Sequence, residues 1–390
     1  MRFVQFADCH VDSSGGGTLA LSSEKKAVLR EDIRRSLAAA CQLVISVKAD
    51  LVLIPGDLFD FESITAESVS FIADQFAGLA PRPVLIAPGN HDSLRAGSPY
   101  LPTSGVNWPG NVRIFTSQTF ESIGLPELNC SVTGIAHAHR GITQRLLTDS
   151  IPRAEADISI LLFHGSREGF RPSDKENVIP FSDVELARQG FTYTAVGHYH
   201  SYACIKDQTG RTLGAYSGCI QGRGLDETGE KVAIVGNIDS TGQVTLDTVE
   251  VCQRRIVSVE VNITGAGSRD SILERTAKSL EACGARPQDI VIIDLCGASS
   301  RETDTTAIES EFSGKYFHVR VSTARLVPDY DAEVALAESA AASVRSAFLR
   351  RMLELKKTAA TREELAVVED AIYYGLCALD GRPVEARDVD

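Results

Sequence analysis

The 390-residue chain lacks the marks of several large protein classes. No apolar run approaches the roughly 20 residues that a helix needs to cross a bilayer. The nine cysteines are odd in number and form no CxxC pair, which argues against a disulfide framework and against a zinc ribbon. Basic residues are outnumbered: 39 Lys and Arg stand against 52 Asp and Glu, a net charge of -13. A chain this acidic does not attract nucleic acid through its overall field. DNA binding would need a local basic patch, a metal or a partner; the plainer reading is that the acidity keeps the chain soluble. Internal repeats and low-complexity tracts are missing. The N-terminus enters a strand pattern without the basic and apolar regions of a signal peptide. These absences together lead us to expect a cytoplasmic protein with no membrane association.

What remains is an ordinary globular composition, 43% apolar and 23% charged, long enough for one large domain and a smaller one. Periodicity predicts helices at 23–47 and 65–79 between strand-like runs. Segments 212–216, 231–235 and 244–248 read as antiparallel strands separated by Gly-rich turns. Arg254-Arg255 marks a boundary, giving a first domain over 1–253. Residues 254–330 read as a small α+β unit of split βαβ type, and 331–390 as a helical segment. Two apolar stripes run along that segment, one through Val344, Phe348, Met352 and Leu355 and the other from Leu365 through Ile372 to Leu379.

Five short apolar runs each end in metal-ligand residues. Residues 3–7 lead into Asp8-Cys9-His10, 51–55 into Gly56-Asp57-Leu58-Phe59-Asp60, and 84–88 into Gly89-Asn90-His91-Asp92. Residues 158–163 lead into His164-Gly165, and 193–196 into Gly197-His198-Tyr199-His200. Ligands of α/β sheets gather at the carboxyl ends of strands, so five such ends on one rim point to a dinuclear metal site. Two apart on a strand, Asp8 and His10 would share a face and Cys9 would enter the core. Asp8, Asp57, Asn90, His10, His164, His198 and His200 form a mixed oxygen and imidazole set, which suits Mn, Fe or Zn better than Mg or Ca. His91 is left as a candidate general acid, with Asp60 to fix its tautomer and raise its pKa. Each cluster alone is a weak signal, since a lone Gly-Asn-His-Asp is usually a turn. Five in order, each behind a strand, carry the reading.

In that order, DxH, GDxxD, GNHD, His-Gly and GHxH make the chain resemble the calcineurin-like metallophosphoesterases over about residues 1–250. The resemblance implies an α/β (α+β) fold, a two-sheet β-sandwich flanked by helices. It implies one metal held by Asp8, His10, Asp57 and His200 and a second by Asn90, His164 and His198, with Asp57 bridging. His91, paired with Asp60, would protonate the leaving oxygen. Two cations acidify a bridging water and clamp the phosphate, which gives phosphodiester hydrolysis. Protein phosphatases of this superfamily usually carry Arg after GDxxD and before GNH, then Glu; Phe61, Pro88 and Asp92 hold those places here.

The motifs look more like those of SbcD-type DNA repair nucleases and the related YhaO proteins, with Tyr216-Ser217-Gly218 and Gly229-Glu230-Lys231-Val232 following at a similar distance. That likeness implies a DNA exo- or endonuclease subunit of a repair complex, two divalent ions with Mn preferred, and DNA as substrate. It also implies a capping domain, a homodimer, and an SbcC-like ABC-type coiled-coil ATPase bound to the C-terminal helical segment. Asp60 departs from the His that some nucleases of the group carry there. The alternative is a small-molecule phosphodiesterase acting on cyclic nucleotides or a nucleotide-lipid. A non-catalytic scaffold is opposed by the complete ligand set, because buried carboxylates without metal repel one another.

Several residues keep two readings. Arg140, Arg145, Arg167, Arg171 and Arg223 either line a phosphate-backbone groove or are solvated. Tyr199 and Tyr202 either stack on a nucleotide or pack. Arg223 and Tyr199 are the substrate-contact candidates. His137-Ala138-His139 has metal-like spacing, but the seven donors above already fill a dinuclear site. The C-terminal stripes either cover the protein's own core or dock on a partner helix pair.

Overall fold

The computed structural model describes residues 1–13, 19–170, 176–299, 303–328 and 343–379; Arg171 and residues 331–342 and 380–390 of the expected helical segment lie outside them. The chain divides into two compact units, Met1–Ile256 and Val257–Asp390.

The first unit is built from short apolar runs buried on both faces. β1 (Arg2–Gln5), β2 (Leu51–Ile54), β3 (Val84–Ile86) and β4 (Val112–Ile114) run parallel. The sheet is extended antiparallel on the β1 side. There β11 (Val232–Ile238) pairs with β1, and β12 (Val244–Glu250) pairs with β11. The second sheet takes the order β5-β6-β7-β8-β10-β9. Its strands are β5 (Glu121–Leu125), β6 (Cys130–Gly134), β7 (Ile158–His164), β8 (Tyr193–Gly197), β9 (Ala203–Lys206) and β10 (Thr212–Tyr216).

Period-two alternation decides what each strand residue meets. Phe3, Leu51, Leu53 and Leu85 point into the layer between the sheets, against Val132, Ile160, Leu162 and Tyr193. Their neighbours Val4, Val52, Ile54 and Ile86 point outward onto Ile33, Leu37 and Val44 of α1 (Ser23–Ser46) and Ile72 and Phe76 of α2 (Ala66–Ala77). Both helices are capped, Ser22 accepting from the Lys25 amide and Thr65 from the Ser68 amide. Beyond the second sheet, Phe163, Val196 and Tyr216 pack on Phe181 and on Leu186 of α3 (Asp183–Gln189). The result is the expected two-sheet sandwich flanked by helices.

One polar residue breaks the alternation of apolar side chains between the sheets. Gln5 is buried there, its Nε2 donating to the Ala215 carbonyl (2.8 Å) and its Oε1 accepting from the Tyr193 hydroxyl (2.6 Å). These bonds fasten β1 of one sheet to β8 and β10 of the other.

Two expectations need correction. Segment 212–216 does not join β11 and β12 in a meander: it lies in the other sheet, parallel to β8 and antiparallel to β9. Its apolar face is needed there to cover the far core. The small α+β unit is not split. β13 (Ile256–Asn262), β14 (Ile290–Ser299) and β15 (His318–Pro328) lie in sequence order, with β14 and β15 paired directly in parallel register. α4 (Arg269–Ala282) and α5 (Thr305–Ser313) connect these strands and cover the sheet through Leu280, Ile308 and Phe312. The C-terminal stripe residues are shared between two helices, α6 (Val344–Thr358) and α7 (Arg362–Leu379), which face each other through Leu349, Ile372 and Leu376. Part of each stripe is therefore internal, while Val344 at the start of α6 is 76% exposed. No described helix is long and apolar enough to cross a membrane.

Tyr193→Phe removes the donor to Gln5 and leaves a buried acceptor short of a partner. We expect a loss of about 1–3 kcal/mol, read as a lower urea midpoint.

Candidate metal centre

The rim is assembled where five strands end. After β1 the chain does not continue as a strand. Asp8 and His10 adopt φ of +50° and +46°, and Asp57 opposite them +51°. The amides of Asp8, His10 and Val11 donate to the carbonyls of Gly56, Asp57 and Leu58 at 3.1, 3.0 and 3.1 Å, so two loops zip side by side beyond the sheet. This corrects the placing of Asp8 and His10 on a strand: left-handed backbone, rather than pleat, turns both side chains into the rim. Left-handed conformations in non-glycine residues cost on the order of 1–3 kcal/mol each and persist only where surroundings impose them. Cys9, between them, is buried in the core as expected.

Two close approaches hold the loops together. At Gly197 a Cβ would lie 1.9 Å from the Pro55 carbonyl oxygen and 2.9 Å from His164 Nδ1. At Gly89 it would lie 2.3 Å from Asp57 Oδ1. Asp92, absent from the ligand set read from the sequence, is the clamp. Its buried carboxylate accepts from the amides of Asp57 (3.1 Å), Leu58 (2.8 Å) and Gly89 (2.6 Å) and from the Tyr100 hydroxyl (2.8 Å). Burial and then the nearby Asp57 charge push it up to about 6.

Asp57 stands in the middle. Its Oδ2 lies 3.7 Å from His10 Nε2 on one side and 3.3 Å from His164 Nε2 on the other, while its Oδ1 accepts from the His91 amide (2.9 Å). Burial alone would raise Asp57, but the surrounding imidazoles hold it well below the carboxylate range. On the first side, His200 Nε2 lies 3.3 Å from His10 Nε2 and 3.8 Å from Asp8 Oδ1. On the second, Asn90 Oδ1 lies 2.9 Å from His164 Nε2. His198 sits beside His164, ring centroids 5.1 Å apart, and its amide donates to both oxygens of Asp8 at 3.1 Å.

The chemistry of the donors tests whether divalent cations fit. His164 Nδ1 donates to the Pro55 carbonyl (2.9 Å), His198 Nε2 to the Glu176 carbonyl (2.8 Å) and His10 Nδ1 to Asp60 Oδ1 (2.6 Å). Carbonyls and carboxylates only accept, so each ring's proton is assigned to that side and the opposite nitrogen becomes the electron-pair donor. His164 Nε2 then faces two acceptor oxygens, an arrangement that calls for positive charge. Burial alone would lower His164, yet the charges of Asp57 and Asp8 push it up to about 9. Two groups, Asp8 with His10 and His200, and Asp8 with Asp57 and His164, bring their donor atoms within 4.8 Å of one another. The residues fit a pair of cations.

His91 lies at the edge, 30% exposed, with Nδ1 3.1 Å from Asp60 Oδ1. Burial would lower it, but the Asp60 hydrogen bond and the Asp57 charge raise it. The same Asp60 oxygen therefore serves both His10 and His91.

The structure corrects both substrate-contact candidates. Arg223 is turned inward, with Nη2 on Glu227 (2.8 Å) and Nη1 on Ser13 Oγ (3.3 Å). Tyr199 is 1% exposed, packed on Tyr216 with centroids 4.9 Å apart, and its hydroxyl donates to the Arg167 carbonyl. Tyr199, in the loop after β8, and Arg223, in the loop after β10, are both turned inward by these partners. Arg145 is engaged by Glu168 and Glu185, and Arg167 by Asp183. His137 and His139 part company: His137 is buried with Nε2 3.0 Å from the His164 carbonyl, lowered to about 4 by burial, whereas His139 is exposed. Glu227, which accepts from His200 Nδ1, was also missed. Its only sequence signal is an acidic residue in a Gly-rich turn.

Residues 1–202 match the calcineurin-like phosphoesterase family. The chain is 27% identical over 236 residues to the uncharacterized metallophosphoesterase YhaO of Bacillus subtilis (strain 168). That overlap covers 59% of this chain and 56% of the relative, so the chain spans little more than half of the relative's length. A crystal structure from Thermus thermophilus is similar at 14% identity and a TM-score of 0.36, over 64% of this chain and 98% of that one. A dimetal phosphatase from Danio rerio is similar at 11% identity and a TM-score of 0.39, over 64% and 96%.

Gly197→Ala should push His164 and the Pro55 loop apart. We expect at least about a tenfold loss of Mn affinity, roughly 1.4 kcal/mol, measured by isothermal titration.

Proposed function

The chain belongs to the calcineurin-like phosphoesterase family, and from that membership we propose that it is a two-metal phosphodiesterase whose substrate is DNA. The observation that carries the reading is the pair of donor groups that share Asp8, one with His10 and His200 and one with Asp57 and His164, with His91 beside them on Asp60. Asp8, His10, Asp57 and His200 would hold one cation; Asn90, His164 and His198 would hold the other, with Asp57 shared. When bound, such cations supply Lewis acidity, acidifying water and offsetting charge that grows on the phosphate. A mixed nitrogen and oxygen set favours manganese over magnesium.

The chain's own residues supply the rest. Asp60 fixes the Nδ1 proton of His91, so Nε2 is the atom that faces the substrate. The raised pKa keeps that ring protonated closer to neutrality, ready to give a proton to the departing oxygen. Asn90 is steadied by its Nδ2 donating to Glu176 (3.3 Å). Support for DNA comes from the ordered motif set and its likeness to SbcD-type nucleases. In the second unit, α6 carries Arg345, Arg350, Arg351, Lys356 and Lys357, which suit an acidic or coiled-coil partner. An ATPase docked there would add the basic surface that an acidic chain lacks.

One observation favours a small diester instead. Arg140, Arg145, Arg167 and Arg223 are each paired with a carboxylate and Tyr199 is buried, which weakens the hold of these residues on a long polyanion, although Tyr202 is exposed. The two readings separate in one assay of labelled duplex and single-stranded DNA with Mn, beside a cyclic nucleotide. We expect wild type to cut DNA, and His91→Ala to slow cutting by about 10²–10⁴-fold with its Mn content intact. Asp57→Ala should lose metal and activity together. Intact DNA beside rapid turnover of the cyclic nucleotide would favour the small-molecule enzyme.

A further inference from the structure

The two halves of the donor set are supported from behind in different ways. His164 and His198 rest on backbone carbonyls, those of Pro55 and Glu176. His10 and His200 rest on side-chain carboxylates, those of Asp60 and Glu227. Glu227 is 4% exposed and uses both oxygens. Oε1 accepts from His200 Nδ1 and from Arg223 Nη2 (2.8 Å), and Oε2 accepts from the Arg223 amide (2.6 Å). Arg223 is tied in turn to Ser13, three residues beyond His10. Lys231 Nζ donates to the His200 carbonyl at 3.3 Å, fixing the backbone of the same residue.

Two groups approach His200 Nδ1, Glu227 Oε1 at 2.5 Å and Arg223 Nη2 at 3.2 Å. Arg223 Nη2 is nearer to Glu227 Oε1 and donates there, and a carboxylate has no proton to give, so the Nδ1 proton is assigned to His200. Nε2 is then the electron-pair nitrogen, and it is the atom that faces His10 Nε2 and Asp8 Oδ1. His200, Cys219 and Glu227 also form a cluster, but Glu227 meets the ring at Nδ1, the nitrogen opposite the one turned toward Asp8. Glu227 thus stands behind the ligand rather than among the ligands. A carboxylate behind an imidazole raises its basicity and locks its orientation, and losing such a partner typically costs about 10–100-fold in metal affinity.

We propose that Glu227, braced by Arg223, is a positioning residue that sets the cation affinity of the half formed by Asp8, His10 and His200 and leaves the half formed by Asn90, His164 and His198 unchanged. The proposal rests on reading those donors as a dinuclear site. Asp60 cannot reveal this asymmetry, because its oxygen also holds His91, and a change there mixes metal retention with proton delivery. The carboxylate of Glu227 has His200 and Arg223 as its described partners, so it separates the two.

The test is Mn titration of metal-stripped wild type, Glu227→Gln and Glu227→Ala by calorimetry, with thermal unfolding of each metal-free chain. Wild type should take up two equivalents. The variants should keep one at wild-type affinity and bind the other about 10–100-fold more weakly, with metal-free Tm little changed. Wild-type affinity at both sites in both variants overturns the proposal, as does equal weakening of both sites. If neither variant folds, the ¹⁵N-histidine spectrum of metal-free wild type decides: a proton on His200 Nδ1 supports it and one on Nε2 overturns it. A wild type that takes up no Mn overturns the dinuclear reading itself, and that result is distinct from two-site binding untouched by Glu227.

Discussion

Asp92 binds the loops of the centre to one another. A carboxylate shut away from water accepts three amides and a hydroxyl, drawn from the ends of β2 and β3 and from Tyr100. Hydrogen bonds to a charged acceptor are roughly twice as strong as neutral ones, and a buried carboxylate lacking them would be untenable. The loop bearing Asp57 and the loop bearing Asn90 and His91 are therefore locked together before any donor is considered. Asp57 emerges from the clamped backbone in a left-handed conformation, which only such over-determined surroundings sustain.

That constraint propagates outward. Because Asp57 is fixed, the positions of His10 and His164 on either side of it are measured from one oxygen. Gly197 lets β8 approach the Pro55 loop closely enough for His164 to reach its carbonyl support. The sheets beneath are held in register by Gln5, whose amide joins β1 to the strand carrying the Gly197 turn and to its neighbour β10. Core, loops and donors form one mechanical chain, and the chemistry sits at the end where backbone freedom has been removed.

Much of this was legible from the sequence because each donor follows directly on an apolar run. A strand that ends in Asp, Asn or His declares both its burial and its chemistry within ten residues, so the sandwich and the gathering of donors could be read together. Residues whose meaning depends on distant partners could not. Glu227 lies 27 residues after His200, across a hairpin and a Gly-rich loop, and nothing in its neighbourhood marks it. Arg223 looked like a phosphate contact because an arginine in a loop is normally solvated; its burial follows from Glu227 and Ser13, which periodicity does not bring near it. Residues 212–216 do pair antiparallel, but with β9 and in the other sheet, because strand partners are chosen by which apolar face remains uncovered, and that is a property of the whole sheet. Residues Asp8 and His10 misled for a related reason, since alternation in the letters is indistinguishable from paired left-handed turns.

The carbonyl supports behind His164 and His198 have a bearing on how such a chain tolerates genetic drift. Every amino acid supplies a peptide oxygen, so the support that residue 176 gives His198 survives a change of its side chain, even though Asn90 would lose the carboxylate it leans on. No such latitude exists behind His10, where the supporting oxygen belongs to the Asp60 side chain and disappears with it. The histidines of one flank are thus backed by letters and those of the other by the peptide bond, and behind the first pair random substitution would leave its first scars.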